Sequence, residues 1–248
     1  TPVTQPGDTI VLADGTYEEE SVIDFTKAGL VVMAAEGAKP VVKTAGQWMV
    51  MNITATTTFE GITFDSESSE DNDMYAFKLS ANATFKNCAF QDYAKACIQV
   101  DEDIVVNSLV IEDCVFDGSN TTPIAIYALG SIENCTIEGT EFKNFTEYAI
   151  TAGDWCGGRI DKLAVDNCLF HDCVYSAIYM PATTSSNTVQ SCSDFELTNS
   201  TIYNVGNNPE GAEAPKRAVV EIRKKSSVAS EQKVLIDHIT IYNFPVPD

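Results

Sequence analysis

The sequence predicts an all-β chain wound as a single-stranded right-handed parallel β-helix of roughly eight coils. Three observations predict it. A six-residue motif recurs at a step of 26 residues, a small or polar residue holds its third position, and a second apolar-alternating segment follows most copies.

The motif reads Phe59-Glu-Gly-Ile-Thr-Phe64, Phe85-Lys-Asn-Cys-Ala-Phe90, Ile111-Glu-Asp-Cys-Val-Phe116 and Ile137-Glu-Gly-Thr-Glu-Phe142. It continues as Val165–Phe170, Leu197–Ile202 and Ile236–Ile241 at steps of 28, 32 and 39, so the later copies carry loop insertions. Self-similarity at this period marks a stack of repeated units. The third residues are Gly61, Asn87, Asp113, Gly139, Asn167, Asn199 and His238. All are types that tolerate positive φ. Apolar residues flank each one, which reads as strand, sharp left-handed bend, strand.

The second segment appears as Ala76–Leu79, Cys97–Val100, Ala125–Ala128, Ala149–Ala152, Ala177–Met180 and Val219–Ile222. Its second and fourth positions are apolar and its third is mostly polar or Tyr, the alternation of a strand with one buried face. Short strands of this kind bury their faces only by stacking coil on coil around one core. The handedness follows the rule for parallel crossovers. A propeller blade needs a longer period, and the leucine-rich pattern is missing. One domain spans residues 1–248, with an opening coil and cap over 1–50 and the repeated coils over 51–248. No signal segment stands at Thr1, and Pro245 and Pro247 stop strand pairing at the end without covering a coil. The chain is therefore expected to be part of a longer protein, with a further domain or a partner at the open C-terminal end.

Cys88, Cys114 and Cys168 share the fourth motif position and should form an inward ladder with Thr140 and Ser200. They read as small core residues. Cys168, His171 and Cys173 lack an evident fourth ligand, which disfavours a metal there. Asp92, Asp117 and Asp172 fall just past the bends, should stack near one another, and read as turn chemistry. So do the N-x-S/T sequences at Asn52, Asn82, Asn120, Asn134, Asn144 and Asn199.

A formal charge of -21 argues against nucleic acid, whose phosphates are met by Lys and Arg. It argues equally against anionic membrane surfaces. No apolar run reaches the roughly 20 residues of a transmembrane segment. Against this background, five of the fifteen basic residues lie within Lys216–Lys225. The acidic run Asp65–Asp73 lacks EF-hand spacing and reads as a solvated loop.

The segment "PGDTIVLADGTY", Pro6–Tyr17, resembles the opening coil of the alginate lyase and chondroitinase B family of pectate-lyase-like β-helix enzymes. Pro6 and Gly7 would make its turn, Ile10 and Leu12 would point inward and Gly15 would bend the chain. The later repeats and the ending "IDHITIYNF" resemble uncharacterised β-helix domains of gut-bacterial surface and secreted proteins. The resemblance implies a secreted or cell-surface location and an extracellular polysaccharide as partner.

It also implies a chemistry to test. In those lyases a Ca²⁺ held by an Asn and two Glu neutralises a uronate carboxylate, a Lys removes the C5 proton, and an Arg on a neighbouring coil assists. In "VVEIRKKS", Glu221 matches the second Glu and so becomes the candidate metal ligand, while Lys225 matches the base if one residue is deleted. Arg223 is the second catalytic candidate. Val219 stands where the first acidic ligand is required, and a valine cannot bind Ca²⁺. No Arg falls within Ile236–Tyr242 either.

The outward positions of the second segment supply the other candidates: Lys78, Gln99, Tyr127, Thr151, Tyr179 and Glu221, with Arg223 two residues further on. Stacked one strand apart, about 4.8 Å, Tyr rings and amides would line a polysaccharide groove. The leading expectation is polysaccharide binding without cleavage and without a cofactor. The alternatives are a Ca²⁺-dependent lyase acting on uronate-containing glycans and a purely structural or adhesive solenoid.

Overall fold

A computed structural model describes residues 4–19, 21–44, 51–66, 75–153, 156–182, 190–206, 218–224 and 231–244. The described residues form short strands and contain no helix. Three sheets result, each built from every third strand. The first runs from Thr9–Leu12 to Lys233–Asp237 and holds nine strands; the second runs from Gly15–Glu19 to Thr240–Tyr242 and also holds nine; the third runs from Ile23–Phe25 to Val220–Ile222 and holds eight. Every pairing is parallel and joins equivalent positions of adjacent coils, as in Phe90↔Phe116↔Phe142↔Phe170. The chain is a parallel β-helix. The expected eight coils are slightly off, because the ends differ from the middle. Six successive coils, between Leu30 and Met180, carry buried side chains on all three sides.

The bends are those the motif requires. Gly61, Asn87, Asp113, Gly139, Asn167, Asn199 and His238 all have φ between 51° and 71°. Each turns the chain from the first sheet to the second without a loop. A second bend leaves the second sheet, with positive φ at Asp92, Asn144, Asp172, Asn204 and Asn243.

Inside, the repeat places like on like. Phe90, Phe116, Phe142 and Phe170 stack nearly face to face at centroid separations of 4.4, 4.9 and 4.9 Å. At one end of this stack Phe64, Phe77 and Phe85 meet Phe90 with tilted and edge-on contacts, and Phe59 packs against those three. Each fully buried ring contributes about 1.5–3 kcal/mol from apolar burial.

The predicted ladder at the fourth motif position is present. Cys88, Cys114, Thr140, Cys168 and Ser200 are all buried, and each donates to the carbonyl two residues earlier. The backbone N–H of Cys88, Cys114 and Cys168 in turn donates to Cys114 Sγ, Thr140 Oγ1 and Ser200 Oγ on the following coil. Position four thus favours a small side chain that both donates and accepts, and this accounts for the mixture of Cys, Thr and Ser.

At the N-terminal end, Ile10 and Leu12 point to the core as expected of the opening motif, and Tyr17 packs there with them. They are only partly buried, around an apolar cavity of about 230 Å³. At the other end Val234, Ile236 and Ile241 are exposed. No described helix is long and apolar enough to cross a membrane.

Candidate functional site

The outward column of the third sheet has the register its spacing predicts. Gln99 pairs with Lys78 and Tyr127, Tyr127 with Thr151, Thr151 with Tyr179, and Tyr179 with Glu221. The column extends in the other direction through Asn52 and Asp24, where Asn52 Nδ2 donates to Asp24 Oδ1 at 2.8 Å.

A second outward column lies beside it, and strict alternation does not reveal it. In these strands two consecutive residues face the core: Ala76 and Phe77, Cys97 and Ile98, Ala125 and Ile126, Ala149 and Ile150, Ala177 and Ile178. The outward positions therefore fall three apart, a local break of the pleat of the kind a bulge produces. The first of each pair is always Ala or Cys, small enough to be enclosed at the corner. The neighbouring column is Tyr75, Ala96, Ile124, Tyr148 and Ser176. Ala96, Ile124, Tyr148 and Tyr179 form an apolar cluster outside the barrel, with Tyr75, Tyr127 and Tyr175 packed against it.

This cluster bounds a recess of about 160 Å³ lined by Ile124, Tyr127, Glu147, Tyr148, Thr151, Ala152, Gly153 and Tyr179. Tyr127 is half-buried, whereas Tyr148 and Tyr179 are buried. Thr151 Oγ1 donates to the carbonyl of Tyr179 at 2.8 Å.

Three of the predicted residues have environments that differ from an open sugar platform. Both faces of Tyr179 are taken: Tyr148 stacks on it at 5.0 Å and the Arg223 guanidinium lies 5.4 Å from its centroid. Gln99 is 3% exposed; its Nε2 donates to Asp101 Oδ1 at 2.5 Å, and its Oε1 has no hydrogen-bond partner among the described residues. Lys78 Nζ is 3.2 Å from Asp101 Oδ2 and 5.0 Å above the Tyr75 ring. Asp101, Glu147, Tyr148 and Tyr75 are the site residues that the sequence reading missed. Tyr75 and Tyr148 lie three residues before members of the predicted column, Asp101 two residues after one, and Glu147 four residues before Thr151.

At the C-terminal edge of this face, Arg223 Nε donates to Glu221 Oε1 and its backbone N–H donates to Met180 O at 2.8 Å. Val219 packs against the core. These residues do not fit Ca²⁺: the single carboxylate is engaged by a guanidinium, and the partner position is apolar. Lys225 lies outside the described residues, as do Lys216, Arg217 and most of the run Asp65–Asp73.

A different polar group stands on the outward face of the second sheet. His171 Nε2 lies 3.1 Å from Glu141 Oε1 and its Nδ1 lies 2.6 Å from Asp172 Oδ2. Lys143 Nζ lies 3.2 Å from Glu141 Oε2 and 3.9 Å from Asp117 Oδ2. His171 stacks on Tyr203 at 4.7 Å, and Tyr203 on Tyr242 at 5.0 Å. Burial opposes ionisation of Glu141, but hydrogen bonds from His171 and Lys143 outweigh it and hold the carboxyl below its usual range. Both ring nitrogens of His171 are engaged, so this is a tie between coils. Cys168 and Cys173 point into the core while His171 faces out, so the three do not converge. Among the described residues no group of three His, Cys, Asp or Glu is placed to hold a metal ion.

The three aspartates do not form one stack. Asp92 and Asp172 occupy second bends separated by two coils, whereas Asp117 lies on a strand. Its carboxylate accepts from Ser119 N and Asn144 Nδ2.

Comparison with known proteins adds the following. A family model described as a domain of unknown function, DUF4957, matches residues 15–150. No curated protein matches the chain significantly. Among solved structures, a mutant of the PL6 family alginate lyase AlyGC superposes with a TM-score of 0.56 at 14% identity, covering 96% of this chain and 37% of that one. PfbA, a surface adhesin of Streptococcus pneumoniae, superposes with a TM-score of 0.45 at 13% identity, covering 95% of this chain and 71% of that one. The lyase likeness shows a shared pectate-lyase-like fold, and the chain spans little more than a third of the lyase's length.

Proposed function

The chain belongs to the DUF4957 family, and from the outward face of its third sheet we propose that it is a secreted or surface-attached domain that binds an extracellular polysaccharide without cleaving it. The observation that carries this reading is the recess bounded by Tyr127, Tyr148 and Tyr179, set in a column of polar side chains running from Lys78 to Glu221. A linear glycan presents a repeating row of apolar ring faces and hydroxyl edges. A column with one side chain per coil offers contacts along such a row, with the half-buried Tyr127 ring meeting a ring face and the partly exposed Glu147 meeting hydroxyls. Pockets that join apolar lining with a few convergent polar groups are the usual form of ligand sites.

Binding without cleavage is favoured because the lyase set is incomplete. Glu221 is paired with Arg223 and Val219 belongs to the core edge. The exposed apolar residues of the last coil support the further reading that another domain or a partner covers that end.

The test is a panel of soluble polysaccharides titrated with and without Ca²⁺. Affinity and the ultraviolet absorbance of an unsaturated elimination product are read together. Affinity without new absorbance is expected. Ca²⁺-dependent absorbance that disappears in Lys225→Ala would replace this reading with the lyase. Silence in both channels would leave the structural solenoid.

A further inference from the structure

We infer that the two ends of the solenoid fit each other, so that the last coil of one copy of this chain docks on the first coil of a second copy, head to tail. The second copy is then the partner at the open end described above, and its docking is independent of glycan binding on the third sheet.

The inward columns run in register from one end to the other. One begins at Ile10 and Val32 and ends at Leu197 and Ile236. Another begins at Tyr17 and Val42, passes through the phenylalanine stack and ends at Ile202 and Ile241. A copy shifted along the axis would set its Thr9–Leu12 beside Lys233–Asp237 and its Gly15–Glu19 beside Thr240–Tyr242, with every strand parallel as within the chain. Ile236 would then meet Ile10, and Ile241 would meet Tyr17.

The surfaces to be joined are apolar on both sides. Val234, Ile236 and Ile241 are 51, 52 and 43% exposed at the last coil. The first coil offers the cavity of about 230 Å³, whose lining includes Ile10, Leu12, Tyr17, Ile23 and Phe25. The backbone is open in the same way. The bend N–H groups of Asn87, Asp113, Gly139, Asn167 and Asn199 each donate to a carbonyl of the following coil. His238 is the equivalent bend of the last coil, and its N–H meets no such carbonyl among the described residues. Unpaired edge groups of this kind are a template for another chain.

Apolar edges alone would also let two like ends pair, and charge selects unlike ones. Residues 1–29 hold six Asp and Glu against one Lys, whereas residues 216–244 hold six Lys and Arg against three Asp and Glu. Asp8, Asp14, Glu18 and Asp24 are exposed at the first coil, and Lys224 and Lys233 at the other end. Complementary potentials of this kind fix partner and register. The repulsion between two chains of charge -21 is screened beyond about 8 Å at physiological salt, so the charges at the joined ends decide. A head-to-tail contact along one axis does not close on itself and continues to further copies.

The experiment is sedimentation velocity of the 248-residue chain at physiological salt over about a hundredfold range of concentration. The mass is expected to climb with concentration past that of two chains. Ile236→Lys, at a half-exposed position, and Ile10→Lys should each remain single, with the circular dichroism of the parent. Mixed together they should form pairs that stop at two chains, because one variant keeps an intact first coil and the other an intact last coil. Glu18→Lys, at an exposed position, replaces Ile10→Lys if that variant loses the parent's circular dichroism, with association about tenfold weaker than the parent's expected. A parent that stays single at every concentration would overturn the inference and leave the open end to a different partner. Association that stops at two copies, with no pairing on mixing the variants, would mean that like ends meet and would overturn it too. So would association indifferent to Ile236→Lys.

Discussion

Ser200 and Cys168 sit one coil apart, and the Ser200 hydroxyl accepts the buried N–H of Cys168 at 3.0 Å while donating to Thr198 O at 2.7 Å. Ser200→Ala strips both bonds and leaves a buried N–H unmatched. A loss of about 1–3 kcal/mol is expected from that unmet group. Ser200→Cys should cost clearly less, since a thiol fills the same position at Cys114 and Cys168. Urea unfolding monitored by circular dichroism measures both, and an alanine variant as stable as the parent would remove the ladder's role.

Asn167 adopts φ of 51° at the bend between the first and second sheets. Asn167→Ala should cost about 1–2 kcal/mol, the left-handed penalty of a residue with a Cβ and no local polar compensation. Asn167→Gly should be nearly neutral or slightly stabilising. Thermal melts of the two variants decide it. Equal destabilisation by both would mean that the Asn side chain itself, and not the backbone angle, is what the bend needs.

Glu141 is held below its ordinary range in the fold, with hydrogen bonds from His171 and Lys143 overcoming the effect of burial. A depressed folded value stabilises the protein at pH above the unfolded value of about 4.3. That contribution is lost as the pH falls from there through the folded value. Glu141→Gln should therefore flatten the dependence of stability on pH in this acidic window and leave the profile near neutrality parallel to the parent's. The side chain is 30% exposed, so added salt should shrink the difference. Unfolding midpoints between pH 3 and pH 6, flanking about 4.3, provide the measurement, and parallel slopes in parent and variant would contradict it.

All eight cysteines are free thiols, and only Cys156 is more than slightly exposed. Burial pushes the Cys168, Cys173 and Cys192 thiols up to about 12, so they are protonated as well as enclosed. A chromogenic thiol reagent should therefore find at most one fast group in the native protein, lost in Cys156→Ser, and all eight after unfolding. Two or more fast thiols in the parent would show that the coils open locally on the timescale of the reaction.

The fold and most of the register were legible because the repeat carries its own geometry. Gly61, Asn87 and Asp113 mark where the chain bends, and a constant step between bends leaves little freedom in which residue meets which across the strands. Lys78–Gln99–Tyr127–Thr151–Tyr179–Glu221 was therefore readable as one column. The coil count was less so, because Ile10 and Leu12 at one end and Ile236 and Ile241 at the other follow the pattern without being enclosed.

The candidate site was only half legible. Strict alternation hid the column that contains Tyr148, because two consecutive residues turn inward at the corner of each third-sheet strand.

By itself, the sequence determined the parallel solenoid, its bend residues and its inward ladders, since these depend on spacing and on what each residue type permits along one chain. Only the tertiary structure decided which outward side chains are available to a ligand. Tyr179 is closed by Tyr148 and Arg223, Lys78 is held by Asp101, and Tyr127 is left half-open beside the recess. Those outcomes turn on contacts between neighbouring columns and past strand ends, at distances of a few ångströms that no repeat period specifies.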